Sequence, residues 1–142
     1  MTEVAIRVAA AATFVWLGMV LAISFLEAPL KFRAEGLELR VGLAIGRIVF
    51  RALNVAEVVL AVVIAACLSV AGPSGPVLVL AAGTAVLLAV QLLLVRPRLN
   101  RRSADVLAGQ DAPRSGAHRT YIGFETLKLA ALVALGATLL SA

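Results

Sequence analysis

Four long runs of apolar residues, separated by short polar segments, make up almost the whole chain. Each run is about long enough to cross the roughly 30 Å hydrocarbon core of a bilayer as a helix. The runs predict helices over about residues 6–26, 41–71, 77–95 and 121–141, with polar connections over 27–40 and 96–120. The predicted fold is therefore all-α: a single domain, residues 1–142, that forms a polytopic antiparallel bundle of four transmembrane helices.

Glycine and proline set the predicted boundaries of these helices. Pro29 disfavours a helical conformation at Ala28, so the first helix is predicted to end near Leu26. The uncharged segment from Gly72 to Pro76 predicts a tight turn between the second and third helices. Because this turn is so short, the two helices are predicted to form an antiparallel hairpin.

Composition supports a membrane protein. Hydrophobic residues make up 62% of the chain, whereas they make up roughly half of a typical soluble domain. The single cysteine, Cys67, lies in the middle of an apolar run and cannot form an internal disulfide. It is interpreted as a small apolar filler.

The basic residues predict the orientation in the membrane. Of the 13 lysines and arginines, 11 lie in or beside the two polar connections, one (Arg7) lies at the opposite side and one (Lys128) lies inside the fourth helix. Positive charge accumulates on cytoplasmic loops. The pattern predicts a multi-pass protein of the inner (plasma) membrane with both termini outside and both long connections cytoplasmic. The same clustering beside apolar runs argues against nucleic acid as a partner and for membrane lipids.

A polar stripe marks the start of the second helix. Arg47, Arg51, Asn54 and Glu57 lie within roughly 120° of one another on a helix of 100° per residue. Asn54 and Glu57 are predicted to lie below the membrane surface, where ionisable groups are expensive and usually functional. The stripe is therefore the first candidate site.

The other helices add polar residues at a similar depth. Gln91 is the only strongly polar residue inside the third helix, Glu27 closes the first, and a face of the fourth carries His118, Tyr121, Glu125 and Lys128. Three acids (Glu27, Glu57, Glu125) balance three bases (Arg47, Arg51, Lys128) in this predicted polar layer. The candidate ligand-binding or proton-linked residues are Glu57, Glu125, Lys128, Arg51 and Asn54, and the candidate supporting residues are Glu27, Arg47, Gln91, His118 and Tyr121.

A purely structural interpretation stands beside the functional one. Polar side chains between membrane helices often serve only to hold helices together, at about 0.6 kcal/mol per hydrogen bond. Arg47, Arg51 and Glu27 are close enough to the boundary to reach water. A lone histidine argues against a haem or zinc site, and no catalytic triad, P-loop or dinucleotide motif is present, so neither a metal nor a cofactor is expected.

Three stretches carry a resemblance to a known group. Residues 18–32, 46–57 and 118–128, with their Pro-x-x-Phe motif and a glycine and phenylalanine opening the second helix, resemble small bacterial four-helix membrane proteins of unknown function. That group is distantly similar to a eukaryotic transmembrane protein linked to platinum-drug resistance. The resemblance implies a four-helix layout and no particular activity.

Three functions remain open at this point. The first is binding or transport of a small molecule, ion or proton by the polar layer, as a homodimer because four helices are few for a complete pathway. The second is an accessory or scaffolding subunit of a larger membrane complex. The third, ranked last because no nucleophile or metal set is recognisable, is a membrane enzyme acting on a lipid or quinone, with Glu57 and Glu125 as acid and base.

Overall fold

The computed structural model is all-helical over the residues it describes, 2–109 and 116–142 (for 116–118, the backbone only). It has four long helices: α1 (Thr2–Lys31), α2 (Leu39–Ala71), α3 (Gly75–Leu107) and α4 (Gly116–Leu140). Within the described part of the chain, each is long and apolar enough to cross a membrane. The fold class predicted from the apolar runs, an all-α protein of four such helices, is confirmed to that extent.

Two of the helices continue through prolines that were predicted to lie beyond their ends. α1 runs on past residue 26, and Ala28 itself is helical (φ −57°, ψ −47°), so the predicted break before Pro29 is wrong. α3 likewise passes Pro97 and ends at Leu107, twelve residues after its predicted end at residue 95.

A π-helical segment precedes each of these prolines. The segments are Leu21–Glu27 in α1 and Gln91–Val95 in α3, and each ends two residues before its proline. Proline lacks an N–H, and its ring crowds the carbonyl four residues earlier in an α-helix. Because a π turn is wider, it relieves this conflict locally and the helix does not have to end.

The helices pack around an apolar core that fills one end of the molecule. α1 packs along both α2 and α4, α3 packs along α4, and the contact between α2 and α3 is smaller than these three. The core side chains are Ala9, Ala10, Ala12, Trp16, Val20, Ile64, Leu68, Val77, Leu88, Leu132, Leu135 and Leu139. Small residues bring α1 and α4 together: a Cβ atom at Gly136 would lie 2.7 Å from Cζ of Phe14. This end of the bundle is therefore closed.

The buried polar side chains described in this end are threonine hydroxyls satisfied within their own helices. Thr13 Oγ1 donates a hydrogen bond to the carbonyl of Ala9 and Thr84 Oγ1 to that of Leu80, each at 2.8 Å. Both threonines are buried. The charged groups buried in the described residues lie toward the other end of the helices, where the candidate site is found.

Two glycines of this end differ in what an added methyl group would do. Gly72 terminates α2 in the left-handed conformation (φ 62°, ψ 62°), which costs an L-residue about 1–2 kcal/mol. Gly83 lies inside α3 with open space around it, and alanine there is worth roughly 0.5–1 kcal/mol through backbone entropy. We therefore expect Gly72→Ala to lower and Gly83→Ala to raise the free energy of unfolding, measured by SDS titration in mixed micelles. Shifts of the same sign would contradict the left-handed end of α2.

Candidate functional site

A fully buried polar cluster lies where all four helices meet. Every helix contributes to it, and no member is more than 2% exposed. We call the following set the buried cluster: Trp16 of α1, Glu57 of α2, Gln91 of α3, and Glu125 and Lys128 of α4.

Lys128 is the centre of the buried cluster. Its Nζ donates hydrogen bonds to Oε1 of Glu57, to Oε1 of Gln91 at 2.7 Å and to Oε1 of Glu125 at 2.7 Å. An ammonium group has three N–H donors, so all three are used. Glu125 precedes Lys128 by three residues, about one helical turn, which places both side chains on one face of α4.

The remaining members orient the two carboxylates. Trp16 Nε1 donates to Oε1 of Glu57 at 2.9 Å, and Gln91 Nε2 donates to Oε1 of Glu125 at 2.8 Å. The second oxygen of Glu125, Oε2, is buried and has no hydrogen-bond partner among the described residues. Two carboxylates thus share one ammonium group, which leaves the buried cluster able to accept one further proton or cation.

A cavity of about 450 Å³ lies beside the buried cluster, toward the polar ends of the helices. Glu125 belongs to both, because its side chain also lines the cavity. The charged lining residues are Lys31, Arg47, Arg96, Arg102 and Glu125, and the aromatic ones are Phe25, Phe32, Phe50 and Tyr121. The apolar core occupies the other side of the buried cluster along each helix. The site is therefore approached from one end of the molecule.

Arg96 is held in the cavity wall by two aromatic rings. Its guanidinium carbon lies 4.4 Å from the ring centroid of Phe50 and 5.1 Å from that of Tyr121. The two rings meet edge to face at 5.8 Å. Cation–π contacts of this kind fix a guanidinium without using its N–H donors. Nη2 of Arg96 is buried and unpartnered in the described structure.

The Gly42/Gly46 pair of α2 makes room for side chains from the end of α1. A Cβ atom at Gly42 would lie 2.5 Å from the ring of Phe32, and one at Gly46 would lie 2.9 Å from Nζ of Lys31. Lys31 also pairs with Glu27, with Nζ 3.6 Å from Oε1. The two glycines thus bring an ammonium group and an aromatic ring into the cavity wall.

A second opening, which we call the groove, lies between α2 and α3. It measures about 490 Å³, and its lining residues are Arg47, Ile48, Arg51, Asn54, Leu92, Arg96 and Asn100. Arg47 and Arg96 line both the groove and the cavity. Positive charge is therefore continuous from one to the other.

The structure brings some of the predicted site residues together and places the others elsewhere. Glu57, Gln91, Glu125 and Lys128 come together in the buried cluster, and Tyr121 lies in the cavity wall. Glu27 pairs with Lys31, while Arg51 and Asn54 lie in the groove and Arg47 borders both openings. The side chain of His118 lies outside the described residues.

The predicted balance of three acids against three bases is wrong. Arg47 and Arg51 are exposed, and in the described structure neither forms an ion pair with Glu57 or Glu125. Among the described residues, Lys128 alone supplies the buried counter-charge. Arg51 and Glu57 lie at opposite edges of the stripe on α2, and only the Glu57 edge is buried against the other helices.

Sequence reasoning missed Trp16 of the buried cluster and two arginines of the cavity wall, Arg96 and Arg102. The signal for Trp16 was available, because a buried indole N–H usually needs an acceptor. Arg96 and Arg102 fall in the predicted connection over 96–120, so only the continuation of α3 to Leu107 reveals their place in the cavity.

Comparison with known proteins adds no relative from which a function could be carried over. The resemblance to small bacterial four-helix membrane proteins stays a prediction. No protein-family model, curated protein sequence or solved structure matches this chain.

Proposed function

We propose that the protein is an integral membrane protein that binds a small molecule in the cavity, with the buried cluster as the proton-linked floor of the site. The four apolar helices support insertion in the plasma membrane as an antiparallel bundle. The distribution of basic residues, 11 against one, supports cytoplasmic connections and external termini. The cavity then opens toward the cytoplasm.

The position of Glu125 carries this proposal. Its Oε1 is engaged by Lys128 and Gln91, while its side chain lines a cavity of about 450 Å³, a volume in the range of small-molecule sites. A ligand that contacts Glu125 also changes the acceptor available to Lys128. Binding is therefore linked to the proton or cation that the buried cluster takes up, as a proton-coupled transporter requires.

Transport needs a second conformation in which the opposite end opens. Four helices offer few surfaces for such a change within one chain, so a homodimer is the expected assembly. All four helices line the cavity, and two of them, α1 and α3, depart from regular α-helical geometry in their π-helical segments. In this proposal the conformational change that transport needs takes place at these two π-helical segments.

Filling the cavity tests the proposal. Ser103 lines the cavity and is half-buried, whereas the adjacent Ala104 is exposed and does not line it. We expect protein in nanodiscs of host lipid to retain a small molecule at near-stoichiometric amount, detected by extraction and mass spectrometry. Ser103→Trp should lose it, because the indole takes up much of the cavity, and Ala104→Trp should keep it. Retention by Ser103→Trp, or no retained molecule in the wild type, would contradict the proposal.

An accessory subunit of a larger membrane complex is the second candidate. The hydrogen bonds of Lys128 favour an accessory subunit, because all three N–H donors have acceptors inside the protein, as they would in a purely structural cluster. Purification in mild detergent separates the two. A stoichiometric partner favours the accessory subunit, and a uniform oligomer of this chain alone favours the binding protein.

A further inference from the structure

The geometry points to an anionic ligand group, a phosphate or a carboxylate, held in the cavity by Arg96 and Arg102. This inference rests on the proposed function, since it names the chemistry of the molecule that the cavity binds. It assigns the basic side chains of the cavity wall as the partners of the ligand. The buried cluster lies at the inner end of the cavity.

The charge of the cavity wall favours an anion. Four basic side chains line it against one acid, Glu125, which already pairs with Lys128. Lys31 is paired with Glu27. Arg47, Arg96 and Arg102 have no acidic partner among the described residues, so a cationic ligand would meet repulsion and an anionic one would meet three unpaired guanidinium groups.

Two of these guanidinium groups have a buried N–H donor without an acceptor among the described residues. Nη2 of Arg96 and Nε of Arg102 are each buried without a hydrogen-bond acceptor in the described structure. Both residues line the cavity. A buried donor without an acceptor is destabilising, and guanidinium groups match the oxygens of phosphate and carboxylate closely. An anion in the cavity supplies the missing acceptors.

The rest of the wall fits an apolar attachment on the anion. Leu43, Leu99 and Ile122 line the cavity together with its aromatic rings. The groove extends the positive charge outward through Arg47 and Arg51. Such a field raises the local concentration of anions and guides them inward. An amphiphile with an acidic head group supplies both an anion for the arginines and an apolar part for the rest of the wall. Free phosphate supplies only the anion.

Titration with defined anions tests the inference. Wild-type protein in phosphatidylcholine nanodiscs is titrated calorimetrically with dihexanoyl phosphatidic acid, inorganic phosphate and, as the net-neutral control, dihexanoyl phosphatidylcholine. We expect phosphatidic acid to bind and phosphatidylcholine not to bind. Binding of inorganic phosphate as well identifies the anion as sufficient, and its failure to bind identifies the amphiphile as the ligand; both support the inference.

A matched pair of arginine variants locates the site. Arg102→Gln should weaken the Kd for phosphatidic acid by about tenfold, since it removes a charged donor. Arg101 is the adjacent residue, is exposed and does not line the cavity, so Arg101→Gln should leave the Kd unchanged. Equal effects of the two variants, or no preference for phosphatidic acid over phosphatidylcholine, would overturn the inference. If Ser103→Trp still expels a retained neutral molecule, the proposed function stands without it.

Discussion

Lys128→Met is expected to lower the free energy of unfolding by about 3–5 kcal/mol, because it leaves buried carboxylates without a cation. Lys128 is completely buried and donates to Glu57, Gln91 and Glu125 at once. Methionine has a similar length and no charge, so the loss would come from the broken charge pairing and less from a change in volume. SDS titration in mixed micelles, followed by circular dichroism, measures the effect.

Two companions separate the pairing from general disruption. Lys31→Met removes the only other lysine, whose pair with Glu27 is long (3.6 Å) and partly exposed, and should cost about 1 kcal/mol or less. Adding Glu57→Gln and Glu125→Gln to Lys128→Met removes the buried charge and should restore most of the lost stability. If Lys128→Met costs no more than Lys31→Met, the buried cluster is not the charge-paired centre described above.

Trp16→Ala is expected to destabilise the protein by about 3–5 kcal/mol, through the cavity left by the indole and the lost hydrogen bond to Glu57. Trp16 is 2% exposed and belongs to both the apolar core and the buried cluster. Trp16→Phe keeps a ring and loses the 2.9 Å bond, so it should cost about 1 kcal/mol plus a small packing term. The same SDS titration compares the two.

Phe14 provides the control for the loss of an aromatic ring. It lies two residues earlier on α1, is 42% exposed and contacts Gly136 of α4. Phe14→Ala should cost clearly less than Trp16→Ala, since fewer contacts are removed. A larger effect of Phe14→Ala would mean that α1 is held by its contact with α4 and not by the buried cluster.

The sequence was sufficient for the helices and for most of the acids and bases of the buried cluster. Long apolar runs predict the helices directly, and equal depth along them predicts that Glu57, Gln91, Glu125 and Lys128 meet. Two features of the structure could not be predicted from the sequence. Periodicity cannot decide which members of a broad stripe turn inward, as with Glu57 and Arg51.

The second feature concerns prolines. The local rule that ends a helix before proline failed at Pro29, and α3 also continues through Pro97, because a widened turn is an alternative that the residues do not announce. The basic wall of the cavity was missed because Arg96 and Arg102 lie beyond the predicted end of the third helix at residue 95.

The π-helical segments have a consequence for the direction in which later side chains point. A π turn holds one residue more than an α turn, so every residue after it is rotated by about 100° from where a regular helix would place it. Lys31 and Arg96 both follow such a segment. The side chains of these two residues therefore point in a different direction around the helix axis than their distance along the chain from the apolar core would predict. That direction depends on the prolines as well as on the spacing.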